Sequence, residues 1–465
     1  MKTLQALQRL QEETKAEVFI VGGFVRDYLR NKKNDDLDIV VRKVSSKVII
    51  DYLKNHGSCK SVTLATNNDA FVTELILFRG SSDSLIAQIV LPRRGKRQIA
   101  DMNNTLRQDA KYRDFKMNAM YLPINYKSKA DVIDVVGGQE DIKCRLLSCV
   151  SDVNDCLSMS PIRVLRAVSL AARTGYKIDE ELFKGMALSA STLEDVVPEA
   201  IRKEFDKILL SKKPSRYLKL MRRLGILKYV MPELDDCVGV TQDSKYHMYD
   251  VFTHCIYTCD NTEPDLVLRL AGLLHDIGKP GTRKKVDQRI TFHKHEMLSV
   301  KLAKSFLTRL RYDGRTKTDV LNLVRLHMYH YTRDYGDGAV RRFIKKVGIT
   351  EDMLDSLGDM PLFKLRQAER LGNGLKSEPV TKRQLDFEGR IIKIFESGGG
   401  LTEKDLDING HILKEAFSLT SGKLIGEILG YLLDRVQTDK TLNDRFTLIE
   451  LTLQYLKSKD NSTDK

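Results

Sequence analysis

Two short runs of β-branched residues constrain the fold of this chain more than any other feature. They cover residues 18–21 and 37–41, and each has the length and composition of a buried strand. Between them lie two adjacent glycines, a helical pattern over 25–29 and an acidic pair, Asp36 and Asp38. This strand–turn–helix–strand order predicts the start of an α/β or α+β domain.

The turn and the acidic pair together predict a nucleotide site. Gly22 and Gly23 end the first strand, and glycines there let the backbone approach a phosphate, to which the helix N-terminus and Arg26 add positive potential. The strand period of two places Asp36 and Asp38 on one face. Paired carboxylates suit Mg²⁺, which can bind a triphosphate and activate a hydroxyl group. Each motif alone is more often an ordinary turn or strand start.

The rest of the chain divides into a mixed first part and a helical second part. Strand patterns are predicted over 72–78, 85–91 and 131–136, and helical patterns over 162–174, 265–277 and 297–310. We therefore expect an α+β protein. An N-terminal head with a small mixed β-sheet and flanking helices would precede an all-α remainder.

The charge composition indicates what kind of molecule the protein binds. Lys and Arg total 77 against 63 Asp and Glu, a net charge of +14, which favours a polyanion such as RNA. The densest basic stretch, 202–228, is either a solvated helical face or a surface that follows phosphates. The seven cysteines are scattered without a CxxC motif, and no apolar run reaches the ~20 residues of a membrane helix. We expect a reduced cytoplasmic protein that does not associate with membranes.

Several motifs in order resemble one enzyme family. They are GGFVRD (22–27), DLD (36–38), TELILFR (73–79), QDAKYRDFKMNAM (108–120), IDVVGGQEDI (133–142) and SPIRVLRAVSLAARTGYKI (160–178). This set resembles the class II CCA-adding tRNA nucleotidyltransferases and the related bacterial poly(A) polymerases. The resemblance implies attack of an RNA 3′-hydroxyl on the α-phosphate of CTP or ATP, with pyrophosphate leaving. Its partners would be tRNA, CTP and ATP, and no obligate protein partner is apparent.

The resemblance also implies roles for individual residues. Asp36 and Asp38 would hold Mg²⁺, and Glu74 is either a further catalytic carboxylate or a solvent-side strand residue. The residues expected at the nucleotide are Gly22, Gly23, Arg26, Arg113, Asn118, Ser160, Arg163 and Arg166.

This chain departs from the family pattern where the incoming base is selected. The family has a template Asp three residues before an Arg, and here Ser160 precedes Arg163. A further family Arg is Ser169, and Tyr112 replaces the first Arg of another motif. A hydroxyl is neutral and both donates and accepts, whereas a carboxylate only accepts. We therefore expect either relaxed base selection or substitution by a nearby acid such as Asp155.

A histidine-rich segment points to a second site. Seven of the nine histidines lie between 247 and 330, and clustered histidines beside an aspartate favour metal binding over a buried structural role. The segment resembles the HD phosphohydrolase domain found in some bacterial members of the family. The implied ligands are His254, His275, Asp276, His295 and Glu369, with His327 as a further candidate. The cation would be a second divalent metal such as Mn²⁺ or Ni²⁺, and a structural spacer is the rival interpretation.

We expect four domains. They are a catalytic nucleotidyltransferase head (1–145), a helical neck that binds nucleotide and RNA (146–234), an HD-type domain (235–380) and a helical RNA-binding body and tail (381–465). The candidate RNA-binding residues are Arg93, Arg94, Lys96, Arg97, Lys212, Lys213, Arg216, Lys219, Arg222 and Arg223. Two alternatives to CCA addition remain: a poly(A) polymerase, and an HD phosphohydrolase or tRNA-binding protein with a compromised head.

Overall fold

The structure is a computed structural model that forms two compact units. It describes residues 2–34, 36–56, 61–66, 74–79, 85–90, 93–94, 99–245, 247–286, 289–329, 331, 336–397, 403–420 and 422–463. The first unit comprises residues 1–240, 263–270 and 301–317, and the second comprises 241–262, 271–300 and 318–465. Among the described residues, every helix is too short or too polar to span a lipid bilayer.

A six-stranded mixed sheet organises the start of the first unit. Its strands are β1 (Glu17–Val21), β2 (Leu37–Arg42), β3 (Ser61–Thr66), β4 (Glu74–Arg79), β5 (Leu85–Val90) and β8 (Tyr121–Pro123), in the order β3-β4-β5-β2-β1-β8. Strands β2 and β5 are parallel, and the other neighbours are antiparallel. A separate two-stranded ribbon joins β6 (Arg93–Arg94) to β7 (Ile99–Ala100). The expected small mixed sheet is confirmed.

Successive side chains of β1 and β2 belong alternately to two hydrophobic clusters, one on each face of the sheet. Val18 and Ile20 of β1 lie in the larger hydrophobic cluster, whereas Val21 lies in a smaller cluster with Val40 and Tyr121. Because successive strand residues face opposite sides, Asp38 shares the face of Val40. Asp38 therefore belongs to the side of the sheet that carries the smaller cluster.

Helices surround this sheet and continue the first unit. They are α1 (Lys2–Glu13), α2 (Gly23–Leu29), α3 (Ser46–His56), α4 (Leu106–Ala110), α5 (Gly138–Cys144), α6 (Val153–Ser158), α7 (Ile162–Thr174), α8 (Glu180–Leu188), α9 (Pro198–Leu209), α10 (Pro214–Arg223), α11 (Leu227–Val230) and α12 (Pro232–Asp235). Two further short strands, β9 (Leu146–Leu147) and β10 (Lys177–Ile178), pair in parallel. Proline occupies the first turn of α9 and α10, where a missing N–H has no cost.

The chain beyond residue 240 is almost entirely helical, as expected. Its helices are α13 (Val251–Asn261), α14 (Leu266–Leu274), α15 (Lys279–Thr282), α16 (His295–Arg309), α17 (Gly314–Leu326), α18 (Asp337–Val347), α19 (Pro361–Gly372), α20 (Lys382–Glu396), α21 (Gly410–Phe417), α22 (Gly422–Thr438) and α23 (Arg445–Thr463). One hairpin interrupts them, formed by β11 (Lys284–Val286) and β12 (Arg289–Thr291). Helices α14, α16 and α17 are each divided between the two units.

The strand predicted over 131–136 is wrong. A 3₁₀ turn covers Lys129–Asp131, and the only pairing of this segment in the described chain is a bridge from Ile133 to Tyr121. Asp134 is the physical reason, because its carboxylate accepts hydrogen bonds from four successive backbone N–H groups, those of residues 136–139. These bonds turn the chain directly into α5.

We expect Gly138→Ala to destabilise the protein by about 1–3 kcal/mol. A Cβ atom at Gly138 would lie 2.4 Å from the backbone oxygen of Lys116, so one of the two backbones must move. The matched control is Gly389→Ala in α20, where no atom lies within 4 Å of the new methyl group. Because alanine favours helix, that variant should gain about 0.5–1 kcal/mol. Urea unfolding measures both, and equal stability of the two variants would contradict the prediction.

Candidate active site and a histidine cluster

A cleft in the first unit brings together most of the predicted nucleotide-site residues. It encloses about 790 Å³, which is within the usual range of ~300–1,000 Å³ for ligand sites. Its walls include the predicted residues Gly22, Gly23, Arg26, Asp36, Asp38, Arg113, Asn118, Arg163 and Arg166. Ser169, which the sequence marked as a departure from the family pattern, also lines the cleft. Further lining residues that the sequence did not single out for it include Asn34, Asp114, Arg173, Lys203, Glu204 and Lys207.

The glycine turn and the acidic pair meet at one end of this cleft. Gly22 has a φ of +79°, which favours glycine, and a Cβ atom there would lie 2.9 Å from Oδ2 of Asp38. The side chains of Asp36 and Asp38 are both exposed in the cleft. Two accessible carboxylates form a donor set of hard oxygens, which fits Mg²⁺.

Arg26 is fixed beside the glycine turn. Its Nε and Nη2 donate to the two carboxylate oxygens of Asp27, at 2.9 and 2.5 Å, and its Nη1 donates to Oδ1 of Asn118 at 2.9 Å. Burial alone would raise the pKa of Asp27, but its hydrogen bond and charge interaction with Arg26 lower that pKa overall. A buried, pre-oriented guanidinium thus lines the cleft where a phosphate would lie.

Arg113 forms a second held guanidinium. Its Nε donates to Oδ2 of Asp109 at 2.8 Å, and the hydroxyl of Tyr121 donates to the same oxygen at 2.6 Å. Burial would lower the pKa of Arg113, but the Asp109 carboxylate raises it. The buried Nη2 of Arg113 has no hydrogen-bond partner among the described residues. An acceptor on a ligand would satisfy it.

Arg166 is held by two carboxylates in the neck part of the same unit. Its Nη1 donates to Oδ2 of Asp114 at 3.2 Å, and its Nε lies 3.5 Å from Oε1 of Glu204. Its side chain remains 40% exposed, whereas that of Glu204 is only 5% exposed. The guanidinium is therefore oriented and still accessible from the cleft.

The predicted template positions have different surroundings. Arg163 is buried, with Nη1 donating to the carbonyl of Cys156 at 2.9 Å and Nη2 to that of Tyr112 at 2.6 Å. Ser160 lies in the turn before α7 and, like the exposed Asp155, is not among the described residues that line the cleft. The role of Ser160 at the base stays a prediction.

Other predicted residues are placed as follows. Glu74 begins β4, and Arg93 and Arg94 form β6, whereas Lys96 and Arg97 lie outside the described residues. The six predicted RNA-binding residues of the segment 212–223 are all exposed, on and beside α10. The opposite face of α10 is buried through Tyr217, Leu218 and Met221, so the basic residues share one face.

The predicted histidines converge in the second unit. His254 lies on α13, His275 and Asp276 directly follow α14, His295 begins α16, and His327 directly follows α17. All five side chains are buried, and their metal-binding atoms form two overlapping groups that share Asp276. Helix α13 starts at the right place because Asp250 accepts a hydrogen bond from the backbone N–H of Thr253 at 2.9 Å.

The Nε2 atoms of four histidines lie close to the Asp276 carboxylate. Nε2 of His254 and of His275 lie 3.4 and 3.2 Å from its Oδ2, and Nε2 of His295 and of His327 lie 3.0 and 3.6 Å from its Oδ1. Nε2 of His254 is also 3.1 Å from Nε2 of His275. The Nε2 atoms of His295 and His327 form no hydrogen bond with the described residues. Buried polar atoms that converge without partners fit a metal ion.

Backbone carbonyls set the tautomer of three of these rings. Nδ1 of His275, His295 and His327 lies 2.7–2.9 Å from the carbonyl oxygen three residues earlier in each case. Because a carbonyl only accepts, Nδ1 must carry the proton, which directs the Nε2 lone pair towards the centre of the cluster.

Two charged side chains border the cluster. Nζ of Lys279 lies 2.6 Å from Oδ2 of Asp276 in an ion pair and donates a hydrogen bond to Oε1 of Gln242 at 2.6 Å. Burial would raise the pKa of Glu369, but Arg366, whose Nη1 donates to it at 2.9 Å, lowers that pKa to about 2, with help from nearby histidines. The convergent donor groups of the described residues include His327 but not Glu369.

Acid should destabilise the first unit through Asp114. Burial opposes its ionisation, but Arg166 and Arg163 outweigh burial and lower its pKa to about 2. A carboxylate whose pKa is lowered in the folded state stabilises that state above its unfolded pKa of ~3.9, and this contribution disappears as the pH falls towards 2. Since Arg166 is partly exposed, we expect a contribution of about 1–2 kcal/mol.

Comparing the free energy of unfolding of the wild-type protein with that of Asp114→Asn isolates this contribution. Urea unfolding at pH 7 should give a deficit of about 1–2 kcal/mol for the variant, and the difference should shrink between pH 4 and pH 2. A deficit that is independent of pH would contradict the electrostatic account.

Comparisons with known proteins agree with this arrangement. Three family models match the chain: the poly A polymerase head domain over residues 18–148, a probable RNA and SrmB-binding site of polymerase A over 175–238, and the HD domain over 245–397. In chain order, the head-domain match comes first, the RNA-binding-site match second and the HD match third.

Curated relatives cover most of the chain. An A-adding tRNA nucleotidyltransferase of Deinococcus radiodurans is 32% identical over 339 residues, which is 70% of this chain and 72% of that protein. A multifunctional CCA protein of Cupriavidus metallidurans is 29% identical over 341 residues, 71% of this chain and 79% of that protein.

Solved structures share the fold along nearly the full length. The Bacillus stearothermophilus CCA-adding enzyme in complex with CTP has a TM-score of 0.62 at 16% identity, with 99% of this chain and 98% of that chain covered. A CCA-adding enzyme in complex with ATP has a TM-score of 0.59 at 19% identity, with coverages of 97% and 95%. At these identities the likeness establishes the fold.

Proposed function

Because the chain belongs to the family of CCA-adding tRNA nucleotidyltransferases and bacterial poly(A) polymerases, we propose that it adds C and A from CTP and ATP to the 3′ end of tRNA. One observation carries this proposal. A single cleft holds the glycine turn, the carboxylates of Asp36 and Asp38, and three arginines, Arg26, Arg113 and Arg166. This set matches the needs of a nucleoside triphosphate: a cation site, a place for phosphates and positive charge around them.

The position of each residue in the cleft indicates its role in the reaction. Asp36 and Asp38 would hold Mg²⁺, which neutralises phosphate charge and lowers the pKa of the RNA 3′-hydroxyl when bound. Gly22 and Gly23 allow the backbone to approach the triphosphate, and Arg26 binds its oxygens. Because Asp27 and Asn118 already hold Arg26, little reorganisation accompanies binding.

The basic face of α10 is the proposed surface for the acceptor end of tRNA. Its exposed residues Lys212, Lys213, Arg216 and Lys219 form a patch that suits an RNA backbone. Contacts of this kind release counterions, so tRNA binding should weaken steeply as salt rises.

We expect Asp38→Asn to reduce nucleotide addition by about 10²–10³-fold, the typical cost of removing one charge-stabilising group from an active site. Gel-resolved extension of a tRNA transcript that lacks CCA, with CTP and ATP given singly and together, measures the effect. Asp51→Asn, which changes an exposed carboxylate on α3, should retain wild-type activity.

The products of this assay separate the related activities. Addition that stops after CCA supports the proposal, and addition of A alone to a transcript ending in CC would restrict it to the last step. Long A-tails would reassign the protein to polyadenylation. Equal extension by wild type and Asp38→Asn would exclude this cleft as the site of the reaction.

A second candidate function rests on the histidine cluster. We propose that His254, His275, Asp276, His295 and His327 bind a divalent cation such as Mn²⁺ or Ni²⁺. The convergent, unpartnered Nε2 atoms support this assignment. Such an ion would act as a Lewis acid on a phosphate ester, which makes hydrolysis a candidate activity. The side chains of Glu369 and Lys279 would orient the ligands and the phosphate rather than bind the metal.

His275→Ala should lower the amount of Mn²⁺ or Ni²⁺ that the purified protein retains after dialysis, measured by elemental analysis. His411→Ala is the matched control, because His411 is an exposed histidine on α21 in the same unit. Equal metal content of wild type and His275→Ala would contradict the assignment. Phosphate-ester hydrolysis that His275→Ala abolishes and Asp38→Asn preserves would locate that activity in the cluster.

A further inference from the structure

The base-selecting pair of the family is altered in this chain, and of its two positions only Arg163 lines the cleft. Position 160 is a serine outside the described lining, and two donors of Arg163 are occupied by backbone carbonyls. A C- or A-selective enzyme still needs groups that distinguish the base edges. Among the described residues of the cleft, the carboxylates of Asp114 and Glu204 both contact the accessible guanidinium of Arg166.

The second of these two carboxylates belongs to Glu204 of α9. Its side chain is 5% exposed and lines the cleft, and the hydroxyl of Ser169 on α7 donates to its Oε2. Lys207 donates to its Oε1 at 2.9 Å, and Nε of Arg166 lies 3.5 Å from the same oxygen. Ser169 occupies the position of a family arginine, so the shorter hydroxyl leaves space in which Glu204 and Arg166 lie side by side.

The Glu204 carboxylate has the charge state of a hydrogen-bond acceptor. Burial would raise the pKa of Glu204, but Lys207, Ser169 and Arg166 lower it overall, so the carboxylate is ionised at neutral pH. Asp114 holds the opposite edge of Arg166 through Nη1. The structure thus presents an acceptor and a donor at fixed relative positions.

We propose that Glu204 and Arg166 read the base edge of the incoming nucleotide in this chain, with Ser169 and Asp114 positioning them. This inference rests on the proposed nucleotide addition. Cytosine and adenine each present an amino donor beside a ring-nitrogen acceptor, whereas uracil and guanine present a carbonyl acceptor beside a ring N–H. A carboxylate that only accepts and a guanidinium that only donates match the first pattern and oppose the second.

Glu204→Gln tests the inference, because the amide keeps the size of the side chain but both donates and accepts. The measurement is kcat/KM for single additions with each of the four nucleoside triphosphates. We expect the preference for CTP over UTP, and for ATP over GTP, to fall by about 10–100-fold. Glu199→Gln is the matched control on the same helix, since Glu199 is exposed and pairs with Arg311; its ratios should equal those of wild type.

Two further results keep the test decisive. Ser169→Ala, which leaves the charges in place, should reduce the same ratios by about threefold to tenfold. Unchanged ratios in both variants, whatever their melting temperatures, would overturn the inference, because a purely structural role lowers stability without altering base preference.

A failure of the proposed function would be recognised separately. If wild type extends no RNA, equilibrium binding of the four nucleoside triphosphates to the full chain replaces kinetics. Selective binding of CTP and ATP that Glu204→Gln loses would sustain the inference without nucleotide addition. Selective binding that Glu204→Gln retains would overturn it, and so would binding without selectivity.

Discussion

The antiparallel pairing of β1 with β2, in which Val21 lies opposite Asp38, is the constraint on which the cleft depends. It brings the end of one strand to the start of the other, so the glycine turn and the acidic pair become neighbours. The approach is so close that a Cβ atom at Gly22 would meet the Asp38 carboxylate. Backbone register therefore places the glycine turn directly beside the carboxylate oxygens of Asp38.

Three of the arginines that line the cleft are each held by a carboxylate. Arg26 pairs with Asp27, Arg113 with Asp109, and Arg166 with both Asp114 and Glu204. These pairs fix the direction of long side chains that would otherwise lose conformational entropy on binding. They also offset the positive charge, so these guanidinium groups are not isolated buried charges.

The sequence predicted what is local and missed what depends on tertiary structure. Strands β1 and β2 and helix α7 follow from hydrophobic periodicity, and the structure places α7 at the predicted residues 162–174. The segment after residue 131 has the apolar content of a strand, but the side chain of Asp134 takes the backbone hydrogen bonds that pairing would need. Glu204 carried no sequence signal. It contacts Ser169, which lies 35 positions earlier in the chain, only after α7 and α9 pack together. The histidine cluster could be predicted from the sequence, because histidine is a rare residue type and most of the histidines lie in one segment.

The ring orientation of the histidine cluster limits which residues can occupy it. His275 and His327 lie just beyond the ends of α14 and α17, where the last carbonyls of a helix have no partner within it. Each ring donates its Nδ1 proton to one of these carbonyls, those of Gly272 and Val324, and so serves as a C-terminal cap. Aspartate, glutamate and cysteinate also bind metals, but they have no proton to donate. Replacing either histidine by one of these residues would therefore remove the hydrogen bond that caps the helix, so folding restricts substitution at these positions independently of the proposed metal.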